Sequence, residues 1–132
     1  MRILLAIVVA GVIVSLADWY FFGVLWHAKY LAYPEVWRRR QGESGEPRAV
    51  AISAVVGALT PVAFVALCLA VGTLRLQQTL LLAAGIWLVG PLPLWIWNYL
   101  FIKVHPLILV SGLLGWLVRL VICALVVGLL LY

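Results

Sequence analysis

Two residues in this chain carry charge where charge is costly. Asp18 is the only aspartate, and it lies inside an apolar run that starts at Ile3 and ends at Trp26. Arg119 lies inside a second such run between Pro106 and Leu131. Every other acidic residue (Glu35, Glu43, Glu46) sits in one polar segment, residues 27–48. An isolated charge in hydrocarbon costs about 2.5–3.5 kcal/mol on the lenient insertion scale, so each needs a partner or a task. The spacing predicts that they partner one another. Asp18 lies about 12 Å from one end of its helix and Arg119 about 20 Å along its own, measured from the same side. Side chains tilt toward the N-terminus of their helix, and in antiparallel helices those tilts bring the two groups to one depth. Gly11, Ser15, Asp18 and Phe22 share one helical stripe; Gly112, Gly115, Arg119 and Cys123 share another. Small stripes permit close approach. Ser15, Tyr20 and Asn98, the only asparagine, are the candidate polar supports of the pair.

Such a pair has two uses. It fixes packing and register, as buried ion pairs often do, or it forms a proton- or ion-coupled site or a docking point for a polar headgroup. A proton pump would need a chain of carboxylates, and one pair is not a chain. His27 and His105 end two apolar runs and are weak metal or haem candidates, having no acidic or thiol neighbours. Cys68 and Cys123 lack metal-type spacing and read as small core residues. There is no nucleophile–base set, phosphate loop or paired-carboxylate motif, and no cofactor is called for. An enzyme acting on a lipid-like substrate remains a third reading.

The elements that position these residues follow from composition. Of the 132 residues, 67% are hydrophobic and 10% charged, and mean hydropathy is +1.23. A soluble fold of this size could not solvate so apolar a chain. Four runs are long enough to cross a bilayer core of about 30 Å: residues 3–26, 49–72, 80–103 and 106–131. The fold class expected is all-α, a single domain over residues 1–132 forming an antiparallel up-down-up-down four-helix transmembrane bundle. In that arrangement the second and third spans are neighbours across a short turn. A rival reading makes the N-terminus a secretory signal ending at Ser15-Leu16-Ala17, although the apolar run continues past that point.

Two spans carry internal features. In the second, Ser53, Gly57 and Thr60 form a small-residue face, and Pro61 predicts a kink. In the third, Gly90-Pro91-Leu92-Pro93 predicts a break flanked by Trp87, Trp95 and Trp97. Such breaks either line binding sites or serve packing geometry. Pro106 suits the first turn of the last helix.

The polar segment interleaves aromatics with aliphatics before an arginine triplet. Tyr30, Tyr33, Trp37, Arg38, Arg39 and Arg40 are expected at the lipid interface, touching anionic headgroups, or else in an ordinary topology-setting loop. The net charge of +5 is therefore a membrane signal and not a nucleic-acid one. Six lysines and arginines fall on the side of the first and third loops, against two on the other. The positive-inside rule then puts the basic loop in the cytoplasm and both termini outside.

Phe22-Gly23-Val24-Leu25-Trp26, followed by the aromatic-basic loop and the Gly112-to-Gly128 helix, resembles a bacterial family of small four-helix integral membrane proteins described only as a domain of unknown function. Its members carry a Gly-x-x-Trp-aromatic signature at the end of the first helix. The resemblance implies fold and inner-membrane location and carries no activity. The functional expectation is a structural, interaction or accessory membrane subunit, working as a homo-oligomer or within a larger complex. The alternative is a small oligomeric transporter or channel using Asp18, Arg119 and the broken third span.

Overall fold

A computed structural model describes residues 1–36 and 44–132. Trp37, Arg38, Arg39 and Arg40 lie outside the described residues. The described chain is helical, with no strand. Helix α1 (Arg2–Tyr20) continues into a π-helical segment, Phe21–Leu25, then α2 (His27–Leu31) and a 3₁₀ turn at Pro34–Val36. After the polar loop come α3 (Glu46–Val71), α4 (Leu76–Val89), α5 (Pro91–Phe101) and α6 (Pro106–Leu130). Four stretches are long and apolar enough to cross a membrane: Arg2–Leu25, Glu46–Val71, Leu76–Phe101 and Pro106–Leu130. Their mean hydropathies are 2.2, 2.4, 1.8 and 2.6. Helices apolar on every side cannot be amphipathic surface helices of a soluble domain.

Local chemistry sets the helix ends. Gly72 closes α3 in the left-handed region (φ 74°), which L side chains disfavour. The Thr73 amide donates to the Cys68 carbonyl at 2.9 Å and the Gly72 amide to Leu69 at 3.3 Å, a Schellman pair. Pro47, Pro91 and Pro106 each sit in a first turn, where the missing N–H costs nothing. His105 caps α6 with its side chain: Nδ1 accepts from the Leu107 amide at 3.1 Å.

The last span is the hub. Helix α6 packs on α1, α3, α4 and α5. It buries 39% of its apolar window, against 11–22% for the other three spans. The expectation that the second and third spans are neighbours is corrected here. Helix α3 packs on α1 and α6, and α4 on α6 and α5, with no substantial α3–α4 face. The cause lies on α6. A Cβ at Gly128 would sit 2.7 Å from the Leu76 Cα, so glycine admits the α4 backbone there. One turn on, the fully buried Thr79 hydroxyl donates to the Ala124 carbonyl at 2.9 Å.

Pro61 lies inside α3 and does not end it. Helix α3 runs on through it, and the buried proline ring faces Gly11 of α1, 3.9 Å from where a Cβ would stand. The ring fills the space that Gly11 leaves. Along the Ser53–Gly57–Thr60 stripe, Ser53 is exposed and Gly57 faces open space among the described residues. Ser53 bonds back to the Val50 carbonyl, and a Cβ at Gly57 would find nothing within 4 Å.

Candidate functional site: an ion pair behind an aromatic wall

Asp18 is carried by the last turn of α1 and Arg119 by the middle of α6. The Arg119 Nη2 donates to Asp18 Oδ2 at 2.6 Å, a short charge-assisted bond through one nitrogen. The Arg119 side chain is 19% exposed and the Asp18 side chain 30%. Trp116, one turn before Arg119, lies 4.9 Å from the guanidinium carbon and offers it a ring face. The Arg119 Nε is enclosed without a hydrogen-bond partner.

The candidate supports are not at the pair. Ser15 and Tyr20 are exposed, Asn98 is half-buried, and none of the three hydrogen-bonds to either charged group. Their stripe assignment held too little: Ser15 shares a face with Asp18 in projection but looks outward. What lies beside the pair is aromatic. The π segment, closed by the Trp26 amide donating to the Phe21 carbonyl at 3.0 Å, adds a residue to one turn. Both Phe21 and Phe22 thereby reach α6. A Cβ at Gly115 would be 2.9 Å from Phe22 Cζ and 3.8 Å from Phe21 Cε1. Trp95 of α5 treats Gly112 the same way, 2.5 Å from a Cβ built there. Gly112 and Gly115 of α6 are seats for aromatic rings.

Tyr30 requires the clearest correction. It was expected to face lipid at the interface, yet its side chain is 7% exposed and turned into the protein, and its hydroxyl donates to Ser111 Oγ of α6 at 2.5 Å. Its ring stacks on Phe22, with centroids 6.3 Å apart and planes 10° apart. Burial pushes the Tyr30 phenol above its ordinary range, and the bond to Ser111 offsets this only in part. Sequence reasoning missed Ser111, Thr79 and the Trp87 indole, which donates to the Leu113 carbonyl at 3.0 Å. The signal was available: a lone hydroxyl in an apolar helix needs an acceptor.

The proline break in the third span stands at Gly90 (φ −104°, ψ −84°), between α4 and α5. Trp87 and Trp95 turn toward α6, while an open groove of ≈ 440 Å³ on the outer side is lined by Leu88, Leu92, Pro93, Ile96 and other apolar side chains. Pro93 therefore borders an apolar groove, and Pro91 opens α5.

His105 has its Nδ1 committed to the α6 cap, and its ring lies 4.2 Å from that of Tyr33. Among the described residues, no group of three or more histidine, cysteine, aspartate or glutamate side chains gathers for a metal. A second open groove, of ≈ 650 Å³, runs between α2 and the start of α6 and includes Tyr33 and His105 in its wall but not His27. Compared with known proteins, the chain matches no family model, no curated protein and no solved structure.

Proposed function

We propose that this chain is a four-span inner-membrane protein whose role is structural: an accessory or interaction subunit, with the Asp18–Arg119 pair fixing how its first and last spans dock. The single observation that carries this reading is the direct 2.6 Å bond between the two charges, walled by Trp116 and the Phe22–Gly115 contact. A charge already countered by its own partner sets register; a transport site would offer its charge to a passing ion. The spans run up-down-up-down with both termini outside, and the basic loop lies on anionic lipid in the cytoplasm. The six-to-two bias of lysine and arginine supports this threading. The Gly23-to-Trp26 signature supports membership in the bacterial four-helix family of unknown function. The exposed Ser53 and the open space beside Gly57 support a helix from another subunit as partner.

An oligomeric transporter is the second reading, favoured by the unpartnered Arg119 Nε at the centre of the molecule. Four helices enclose little aqueous path, so transport needs an assembly. The discriminating measurement is the oligomeric mass of detergent-purified protein, wild type beside Asp18→Asn. A monomer that loses its fold on substitution supports the structural reading and directs the search to co-purifying partners. A fold that survives the substitution frees Asp18 from the structural role and overturns this reading, and a stable oligomer then calls for flux assays.

A further inference from the structure

We infer that the groove between α2 and the start of α6 is a binding site for one anionic phospholipid. The inference rests on the membrane placement above and adds a discrete ligand site to it. The groove, ≈ 650 Å³ and open along one side, lies where the first span ends and the last begins. That is the headgroup level of a bilayer. Its floor is hydrocarbon. Ala28 and Ala32, one turn apart, leave room on the α2 side, and Pro106, Leu107 and Val110 form a single face of α6 on the other.

Three lining side chains, Lys29, Tyr33 and His105, can meet a polar headgroup. The Lys29 ammonium stands 4.7 Å from the Trp26 ring centroid, exposed, with no carboxylate paired to it among the described residues. His105 contributes a donor of fixed direction. Because its Nδ1 accepts the Leu107 amide, the neutral ring carries its proton on Nε2. Tyr33, against the same ring, adds a phenol. An ammonium, an imidazole and a phenol sharing one groove with apolar side chains match a phosphodiester and its acyl chain. A free phosphate would leave the trough empty, and an apolar peptide would leave the ammonium without a counter-charge. Charge complementarity and the groove's level thus select a lipid with a net negative headgroup.

The test uses the full-length chain in uncharged detergent, with native mass spectrometry after equilibration with phosphatidylglycerol or phosphatidylcholine. Wild type should retain one phosphatidylglycerol in preference to phosphatidylcholine. Lys29→Gln should lower that retention about fivefold, the worth of one lysine near an anionic surface. Ala32→Trp should abolish it by filling the trough, with an unchanged melting temperature. Val110→Trp tests the opposite wall, should either tryptophan disturb the fold. Arg75→Gln, at the other end of the molecule, should change nothing. Equal retention of the two lipids overturns the inference. So does retention that ignores Lys29→Gln and both tryptophans, or that falls only when Arg38, Arg39 and Arg40 are changed to glutamine. An alkaline wash of membranes separates the two levels of failure. Protein that washes off refutes the membrane placement itself, whereas protein that stays embedded while the groove variants keep their lipid refutes only the site.

Discussion

The bond between Asp18 and Arg119 joins residues 101 positions apart, so its contribution is to tertiary docking and not to either helix alone. Removing one partner of a buried pair leaves a charge without compensation, which costs about 3–5 kcal/mol when burial is complete. With 19% and 30% of these side chains exposed, Asp18→Asn and Arg119→Met should each cost somewhat less. Thermal melting in mild detergent reads this directly. The charge-swapped double variant, Asp18→Arg with Arg119→Asp, should recover most of the loss; a double no better than its singles would mean the attraction is not what docks the helices. The glycines supply a graded second experiment. Gly128→Ala and Gly112→Ala must displace the Leu76 backbone and the Trp95 ring, and overpacking of this kind costs about 1–3 kcal/mol. Gly57→Ala and Gly85→Ala meet nothing within 4 Å and should be neutral or slightly stabilising, since alanine favours helix over glycine. A Gly57→Ala variant that melts early in its native membrane but normally in detergent would reveal a partner helix on that stripe.

Helix α6 organises the others through small residues and hydroxyls, and this was partly legible in its sequence. Gly112, Gly115 and Arg119 were readable as one stripe, because their spacing follows the helical period. What the stripe receives was not readable: aromatic rings from α1 and α5 fill it where close backbone approach was expected. The π segment was invisible for a physical reason. Periodicity locates a turn only by alternation of apolar and polar positions, and Phe21–Leu25 has none to shift. Tyr30 was read as facing lipid because a tyrosine just past an apolar run looks the same whether its ring meets headgroups or a neighbouring helix. The missing information was Ser111, 81 positions away. The Tyr30–Ser111 bond should be worth about 1 kcal/mol, with Tyr30→Phe and Ser111→Ala each losing that much and their double losing less than the sum. It also predicts a pH effect. Burial raises the phenol above its ordinary value of 10.0, so the folded state keeps the proton longer than the unfolded one. The contribution is complete below that value and is lost as pH climbs through the raised one. Wild-type protein should therefore lose melting temperature above pH 10.0 more steeply than Tyr30→Phe does.

The exterior of the whole molecule is largely hydrocarbon: Leu4, Leu16, Val55, Leu81, Leu100 and Leu129 are all more than 60% exposed, and they are spread over all four spans. Apolar surface on every side calls for a lipid solvent, whereas a protein interface would account for one patch. Within that solvent the threading we propose rests on where lysine and arginine fall, and it can be measured without disturbing the fold. Both native cysteines are buried, Cys68 and Cys123 at 0% exposure, so wild type should give no background with a membrane-impermeant thiol reagent. Single cysteines are then placed at exposed positions at opposite ends: Ser44→Cys beside the basic loop and Gln77→Cys at the start of α4. With the basic loop inside, intact cells should label Gln77→Cys and spare Ser44→Cys, and inverted vesicles should reverse the pattern. The opposite result would place Lys29, Tyr33 and His105 on the outer face, so that the lipid groove would draw on the outer leaflet. Labelling of both positions in intact cells would break the four-span threading altogether, because an odd number of crossings would have to separate Ser44 from Gln77.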